Sequence, residues 1–128
     1  MKYMKQKILI VEDDNQSLYM LTFLLESNNY EVIQSNNGFD GIAKAIDLKP
    51  EAIILDIQLP EMNGYEVTNI LRKNGELKNI PIVVVSSFAM VGDKNKALEA
   101  GASGYIEKPI DPDTFISQME SFITTKRT

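Results

Sequence analysis

The sequence has 128 residues and a formal net charge of −5, from 18 acidic and 13 basic side chains. A chain of this length fits one domain with a single core, and its acidic balance without a basic block argues against a nucleic-acid-binding surface. It contains no cysteine and no histidine, which excludes disulfides, thiol nucleophiles, imidazole bases and metals bound by cysteine or histidine.

Five short runs rich in Ile and Val alternate with stretches of helical length. The runs predict strands at residues 7–11, 31–35, 52–55, 82–85 and 104–106. The stretches predict helices at residues 16–27, 39–48, 64–73, 93–100 and 112–125. Three of the strands are almost wholly apolar, so this alternation indicates a parallel sheet covered by helices on both faces.

Acidic residues mark the beginnings of the first and last helices. Asp14 is expected to cap the first helix, and Asp111 the last, with Pro112 at the first helical position and Asp113 in the first turn. No repeat or linker interrupts the chain. We therefore expect one domain over residues 1–128, with a core at about 7–125 and no output domain.

Carboxylate, hydroxyl or lysine side chains follow four of the five predicted strands. They are Glu12, Asp13 and Asp14 after the first strand, Asp56 after the third, Ser86 and Ser87 after the fourth, and Glu107 and Lys108 after the fifth. The second strand is followed by uncharged residues, as expected at a sheet edge. Because ligands bind outside the carboxyl ends of parallel strands, these groups should converge on one rim of the sheet.

Crowded carboxylates on this rim repel one another, so either their pKa values rise or a cation joins them. With oxygen ligands alone, the expected cation is Mg²⁺. A magnesium ion, a lysine and a hydroxyl group form a clamp for a phosphoryl group, and a carboxylate in line with that group can attack it to form an aspartyl phosphate. The pattern therefore indicates phosphoryl transfer onto a side chain.

Four stretches, ILIVEDD (8–14), LDIQLPEMNG (55–64), VVVSS (83–87) and GYIEKPI (104–110), resemble the receiver domain of two-component response regulators in the CheY-like superfamily. The resemblance covers nearly the whole chain, and LDIQLPE and FAMVGD (88–93) are most similar to stand-alone receivers of the DivK type. It implies a flavodoxin-like three-layer sandwich of five βα units, with parallel strand order 2-1-3-4-5 and helices on both faces.

The resemblance also implies roles for residues on the rim. Asp56 is the phosphoacceptor. Mg²⁺ or Mn²⁺ is held by Asp13, Asp56 and the backbone carbonyl of Gln58, with Glu12 acting through water. Lys108, which a cis bond to the following proline would orient, pairs with the phosphoryl group.

Further positions concern switching and hydrolysis. Ser86, where the family more often has Thr, and the aromatic Tyr105 are the implied switch. Gln58 and Phe88 hold positions that tune how fast water reaches the acyl phosphate, and the bulk of Phe88 predicts a persistent phosphorylated form. Ser87 replaces the usual Ala or Gly and is still small enough for phosphoryl access.

Each residue alone also has a simpler interpretation. Asp13 could cap the first helix together with Asp14, and Asp56 could be an ordinary acid at a strand end. Lys108 could be a solvated surface lysine, and Tyr105 a core aromatic. The residues are specific for the family jointly and only modestly so one at a time.

The first helix carries LYMLTFLL (18–25), with seven apolar residues in eight, which is more than a one-sided core stripe needs. If Thr22 and Glu26 mark the outward face, Leu18, Tyr19 and Phe23 flank it and stay partly exposed. The pattern indicates either a generously buried helix or a docking surface for a helical partner, such as the histidine-bearing bundle of a kinase.

The sequence thus predicts a signalling receiver that takes its phosphoryl group from a histidine kinase or a histidine phosphotransfer protein. It would signal to a downstream protein by binding or by phosphorelay, and it is an enzyme only in catalysing its own phosphorylation and dephosphorylation. The alternatives are a phosphorylation-independent adaptor with the same fold and a receiver domain excised from a hybrid histidine kinase. No run reaches the roughly 20 apolar residues of a transmembrane helix, so a cytoplasmic location without membrane insertion is expected.

Overall fold

The fold is seen in a computed structural model that describes residues 5–87 and 92–127, where five strands alternate with five helices. The strands are Lys7–Val11 (β1), Glu31–Ser35 (β2), Ala52–Asp56 (β3), Ile82–Ser86 (β4) and Gly104–Glu107 (β5). The helices are Asn15–Ser27 (α1), Gly38–Leu48 (α2), Gly64–Lys73 (α3), Asp93–Ala100 (α4) and Phe115–Arg127 (α5). Among these residues, no helix is long and apolar enough to cross a bilayer.

The five strands form one parallel sheet in the order β2-β1-β3-β4-β5. This order confirms the flavodoxin-like arrangement that the resemblance implied, and it places β2 at an edge, as predicted. The pairing brings the carboxyl ends of the inner strands level, because Asp56 pairs with Val85 and Ser86 pairs with Glu107. Side chains that leave these ends therefore meet at one rim.

The sheet separates two apolar cores. On one face, Ile8 and Ile10 pack with buried residues of α1 and α5, while on the other Leu9 and Val11 pack with buried residues of α2, α3 and α4. Successive strand residues point to opposite faces, so a strand covered on both sides must be apolar throughout. This is why the central strands read as continuous runs of Ile, Leu and Val.

Three predicted strands end one residue too early. Asp56, Ser86 and Glu107 are polar, and yet each remains in the strand ladder as its last residue. Asp56, predicted to follow the third strand, therefore belongs to β3 itself. The main chain of Asp56 is held by the sheet, and its carboxylate leaves the strand from a fixed position.

Both residues predicted to cap helices form capping hydrogen bonds, but Asp111 caps a turn and not a helix. Asp14 accepts a hydrogen bond from the backbone N–H of Ser17 at 3.0 Å and caps α1 as predicted. Asp111 accepts from the backbone N–H of Asp113 at 2.9 Å. However, residues 112–114 form a turn, and α5 begins at Phe115, so the predicted start at Pro112 is wrong. The Asp111 carbonyl accepts from both residue 114 and residue 115, and this mixed bonding separates the turn from the helix.

Gly64 lets α3 begin directly against the end of β3. Its N–H donates to the Ile57 carbonyl at 2.8 Å. A Cβ atom on Gly64 would lie 2.6 Å from the Asp56 carbonyl oxygen and 2.8 Å from Ile57 Cα, both of them main-chain atoms. Any larger residue must therefore displace either the helix or the strand end that carries Asp56.

We expect Gly64→Ala to lower the free energy of unfolding by about 2 kcal/mol or more, because main chain rather than a flexible side chain has to move. Urea denaturation measures the loss. Gly75→Ala is the matched control, since nothing lies within 4 Å of the added Cβ, and it should change stability by less than about 0.5 kcal/mol. Equal losses in the two variants would show that the close approach at Gly64 is unimportant.

Candidate functional site

The site side chains are carried by main chain that the sheet holds in place. The N–H of Glu12 donates to the Ser35 carbonyl at 2.9 Å, and the N–H of Lys108 donates to the Ser86 carbonyl at 2.8 Å. Both bonds extend the strand ladder one residue beyond the strand end. Glu12, Asp56 and Lys108 thus meet from β1, β3 and β5 with little backbone freedom.

Lys108 lies between two buried carboxylates but pairs mainly with one of them. Its Nζ is 2.6 Å from Glu12 Oε1 and 3.7 Å from Asp56 Oδ1, so only the first contact is a hydrogen bond. The second oxygen of Glu12 accepts from the backbone N–H of Asp14 at 3.1 Å. Glu12 is thus satisfied on both oxygens. The peptide bond between Lys108 and Pro109 is cis, as the resemblance implied.

Asp56 is the buried carboxylate whose charge is not balanced by a close ion pair. Its side chain is 5% exposed, and its Oδ1 has no hydrogen-bond partner among the described residues. Burial raises the pKa of Asp56 to about 7, and the charge of Glu12 adds to the increase, whereas the charge of Lys108 and a hydrogen bond from the Gln58 backbone oppose it. Asp56 therefore favours any arrangement that brings a cation to its free oxygen.

Three carboxylates at this rim lie close enough to share one ion. One oxygen each from Glu12, Asp13 and Asp56 falls within 4.8 Å of the others. Asp13 is exposed whereas the other two are buried, so the cluster opens to water on the side of Asp13. An oxygen-only donor set with a free buried oxygen and solvent access suits a hard divalent cation, which keeps several waters.

The two predicted switch residues are in contact. Ser86, the buried last residue of β4, hydrogen-bonds through its side chain to the hydroxyl of Tyr105 on the neighbouring strand β5. Burial raises the pKa of Tyr105, and the hydrogen bond with Ser86 opposes that increase. A change at Ser86 therefore alters the environment of the partly buried Tyr105 directly.

The structure also contains contacts that the sequence did not predict. The Tyr65 hydroxyl donates to a carboxylate oxygen of Asp93 at 3.4 Å, which joins the first turns of α3 and α4. Ser87 Oγ donates to Gln58 Oε1 at 3.0 Å. The positions of these four residues were a partial signal, since all of them follow the carboxyl ends of β3 and β4, but which residues pair was not indicated. Phe88, predicted to influence hydrolysis, lies outside the described residues.

One face of α1 is exposed to solvent, as a docking surface requires and as a generously buried helix would not show. Tyr19 is 74% and Phe23 is 60% exposed, and Leu18 is partly buried. Glu26 is exposed on the same face, as predicted. Thr22 is partly buried, and its hydroxyl accepts a hydrogen bond from Gln34 Nε2 of β2 at 3.0 Å, so it lies at the border of this face.

Comparison with known proteins identifies the class that this fold and this site define. Residues 8–120 match the family described as the response regulator receiver domain. The match spans most of the chain, and the chain belongs to this family of two-component signalling proteins.

The chain is 38% identical over 120 residues to the polar-differentiation response regulator DivK of Brucella anthropi, a match that covers 94% of this chain and 98% of that relative. Among solved structures, the chemotaxis response regulator CheY4 of Vibrio cholerae has a TM-score of 0.88 at 27% identity, covering 93% of this chain and 99% of that one. The receiver domain of a sensor histidine kinase from Pseudomonas aeruginosa has a TM-score of 0.87 at 27% identity, covering 94% and 99%, and its structure has a magnesium ion in the active-site cleft.

The burial of Asp56 predicts a pH-dependent stability. Its pKa is about 7 in the folded chain and 3.8 as the ordinary value, so the folded protein binds the proton more tightly and loses stability as the pH rises from about 4 to about 7. The side chain of Asp56→Asn does not titrate, so the variant does not lose this stability as the pH rises. In EDTA, its free energy of unfolding should exceed that of the wild type by about 2–4 kcal/mol at pH 8 and by less than about 1 kcal/mol at pH 4.

Urea denaturation at the two pH values measures this difference. Asp47→Asn, which changes an exposed aspartate on α2, is the matched control and should differ from the wild type by the same small amount at both. A difference for Asp56→Asn that is equal at pH 4 and pH 8 would refute the argument from burial.

Proposed function

We propose that this receiver accepts a phosphoryl group on Asp56 from a phosphohistidine of a histidine kinase or a histidine phosphotransfer protein. The observation that carries the proposal is the free Oδ1 of Asp56, a buried carboxylate oxygen without a hydrogen-bond partner among the described residues. It lies beside a lysine cation and at the edge of an acidic cluster. A phosphorylation-independent adaptor has no use for this costly arrangement.

The carboxylates of Glu12, Asp13 and Asp56, with the backbone carbonyl of Gln58, would hold Mg²⁺ or Mn²⁺ at the rim. The fit rests on the oxygen-only donor set and on the unsatisfied Oδ1. When bound, the ion supplies positive charge to the carboxylates and to the phosphoryl oxygens. Lys108 alone cannot do so, since its ammonium group already pairs with Glu12.

In the transfer step, a carboxylate oxygen of Asp56 attacks the phosphorus atom, and a new P–O bond forms. The P–N bond to the donor imidazole breaks, and its electron pair stays on that imidazole nitrogen. Lys108 and Ser86 would stabilise the charge on the phosphoryl oxygens. This role is supported by the Lys108 ammonium group, which lies 3.7 Å from Asp56, and by the position of Ser86 at the end of the neighbouring strand. In doing so, Lys108 shifts its contact from Glu12 towards the phosphoryl group.

The signal would leave the site through Ser86 and Tyr105. A phosphoryl oxygen draws the Ser86 hydroxyl away from Tyr105, with which it hydrogen-bonds in this structure. Tyr105 then changes position, and the surface formed by α4, β5 and α5 changes with it. A downstream protein or a further relay partner reads that surface. We place these events in the cytoplasm, in a single receiver domain over residues 1–128.

The exposed face of α1 is the proposed docking surface for the phosphohistidine partner. Tyr19 and Phe23 present two aromatic side chains on one helix face. Ser17 and Met20 of the same helix line a groove together with Lys108. A helical bundle seated on α1 would therefore hold its phosphohistidine next to the lysine of the site.

Incubation with Mg²⁺ and acetyl phosphate tests the central proposal. Intact mass spectrometry should show the addition of one phosphoryl group to the wild type and none to Asp56→Asn, because the variant lacks the nucleophilic oxygen. EDTA should prevent the addition to the wild type. An unmodified wild type, or a modified Asp56→Asn, would overturn the assignment of Asp56.

Replacement of Tyr19 tests the docking surface separately. We expect Tyr19→Glu to slow phosphotransfer from a histidine kinase that phosphorylates the wild type by about tenfold or more, as for an aromatic interface hot spot. Labelling by acetyl phosphate should not change. Phe39→Glu, which alters a side chain 57% exposed on α2, is the matched control and should leave both rates unchanged. An equal loss in both assays would argue against docking on α1.

A further inference from the structure

A hydrogen bond joins the two loops that border Asp56. Ser87 Oγ donates to Gln58 Oε1 at 3.0 Å. Gln58 follows β3 by two residues, Ser87 follows β4 by one, and these strands are neighbours in the sheet. Both side chains are exposed, so the bond lies on the solvent side of this end of the sheet.

We propose that Ser87 is a positioning residue that slows hydrolysis of phosphorylated Asp56 by restraining the side chain of Gln58. This inference rests on the proposed function of Asp56. Ser87 does not touch the reacting atoms in this account. It acts through the carboxamide of Gln58, whose backbone N–H already lies against the Asp56 carboxylate.

Hydrolysis needs a water molecule held in line with the bond that breaks. The water oxygen attacks phosphorus and forms a P–O bond, while the bond from phosphorus to the Asp56 oxygen breaks and its electron pair returns to the carboxylate. The water releases a proton to solvent, and hydrogen phosphate leaves. An oxygen that accepts a hydrogen bond from the water orients it and raises the rate.

Gln58 Oε1 is an acceptor of this kind, carried two residues after Asp56. In the structure it accepts from Ser87 instead, and the carboxamide is held towards β4. The amide oxygen can accept a second hydrogen bond, so the effect of Ser87 in this account is to restrain where that oxygen points and not to occupy it.

The bond does not have the features of a structural support. Both partners are exposed and neutral, and hydrogen bonds of this type contribute little to stability. A hydroxyl at residue 87 and an acceptor at residue 58 should therefore influence the lifetime of the phosphorylated form far more than the stability of the fold.

The experiment follows the decay of the phosphorylated form in the wild type and three variants. Wild type, Ser87→Ala, Ser87→Thr and Ser117→Ala are labelled with Mg²⁺ and acetyl phosphate and desalted, and the loss of the phosphoryl group is timed by intact mass. Ser87→Ala should lose it about fivefold faster, the change expected for one neutral hydrogen bond. Ser87→Thr keeps the hydroxyl and should decay at the wild-type rate. Ser117→Ala removes an exposed hydroxyl on α5 and should also match the wild type.

A double-mutant cycle with Gln58→Leu shows whether Ser87 acts through Gln58. In the Gln58→Leu background, which keeps the backbone carbonyl but lacks the amide oxygen, Ser87→Ala should change the decay rate by less than about twofold. Equal acceleration in both backgrounds, decay of Ser87→Ala at the wild-type rate, or no rescue by Ser87→Thr would overturn the inference. If the wild type takes no label, the proposed function itself fails, whereas a labelled wild type with an unaltered Ser87→Ala rejects the role of Ser87 alone.

Discussion

The ion pair between Lys108 and Glu12 leaves the site one positive charge short, and the chemistry of the rim depends on that shortage. Two carboxylates are buried within reach of a single ammonium group, which lies 2.6 Å from one and 3.7 Å from the other. Charges in such surroundings are costly unless paired. Asp56 bears that cost, and both a divalent cation and a phosphoryl group with its counter-charges would relieve it. The same imbalance favours metal binding, and in the function proposed above it would make this aspartate, rather than Glu12, the reactive carboxylate.

The sheet makes this imbalance possible by fixing where each charge stands. Parallel pairing brings the ends of β1, β3, β4 and β5 level, and backbone hydrogen bonds continue past the strand ends at Glu12 and Lys108. The close contact of Gly64 with the main chain of Asp56 and Ile57 then sets the distance between β3 and α3. A looser scaffold would let the carboxylates move apart or turn to solvent, and the unsatisfied oxygen would not persist.

Most of the fold and the main rim residues could be predicted from the sequence, because both depend on local patterns. Apolar runs and their spacing placed β1, β2, α3 and α4 with the bounds that the structure shows. The order of residues after each strand brought Glu12, Asp13, Asp56 and Lys108 together in advance. The remaining errors have physical causes. A polar residue can end a strand from within the ladder, as Asp56 does, and a capped turn can precede a helix, as at Asp111.

Contacts between distant loops could not be predicted in this way. Periodicity defines a helix face to within about a third of a turn, which was too coarse to place Thr22 against Gln34. The bond from Tyr65 to Asp93 joins the first turns of two helices, and the bond from Ser87 to Gln58 joins two loops; in each the partners are about 28 residues apart. They depend on how two turns are oriented, and no local pattern encodes that. The sequence therefore located the side chains of the rim better than the contacts between the segments around them.

Ser86 and Tyr105 stand on adjacent strands, so the proposed chemistry and the aromatic side chain that responds to it are separated by roughly the 5 Å spacing of a sheet. Coupling between side chains on adjacent strands requires no hinge motion and no rotation of one domain relative to another. Side-chain exchange of this kind belongs to the fast end of protein motion. Because the proposed chemistry and the aromatic side chain that responds to it lie on adjacent strands of one domain, the same response would operate with the domain on its own or tethered to another polypeptide. Only the partner that reads the surface would have to differ.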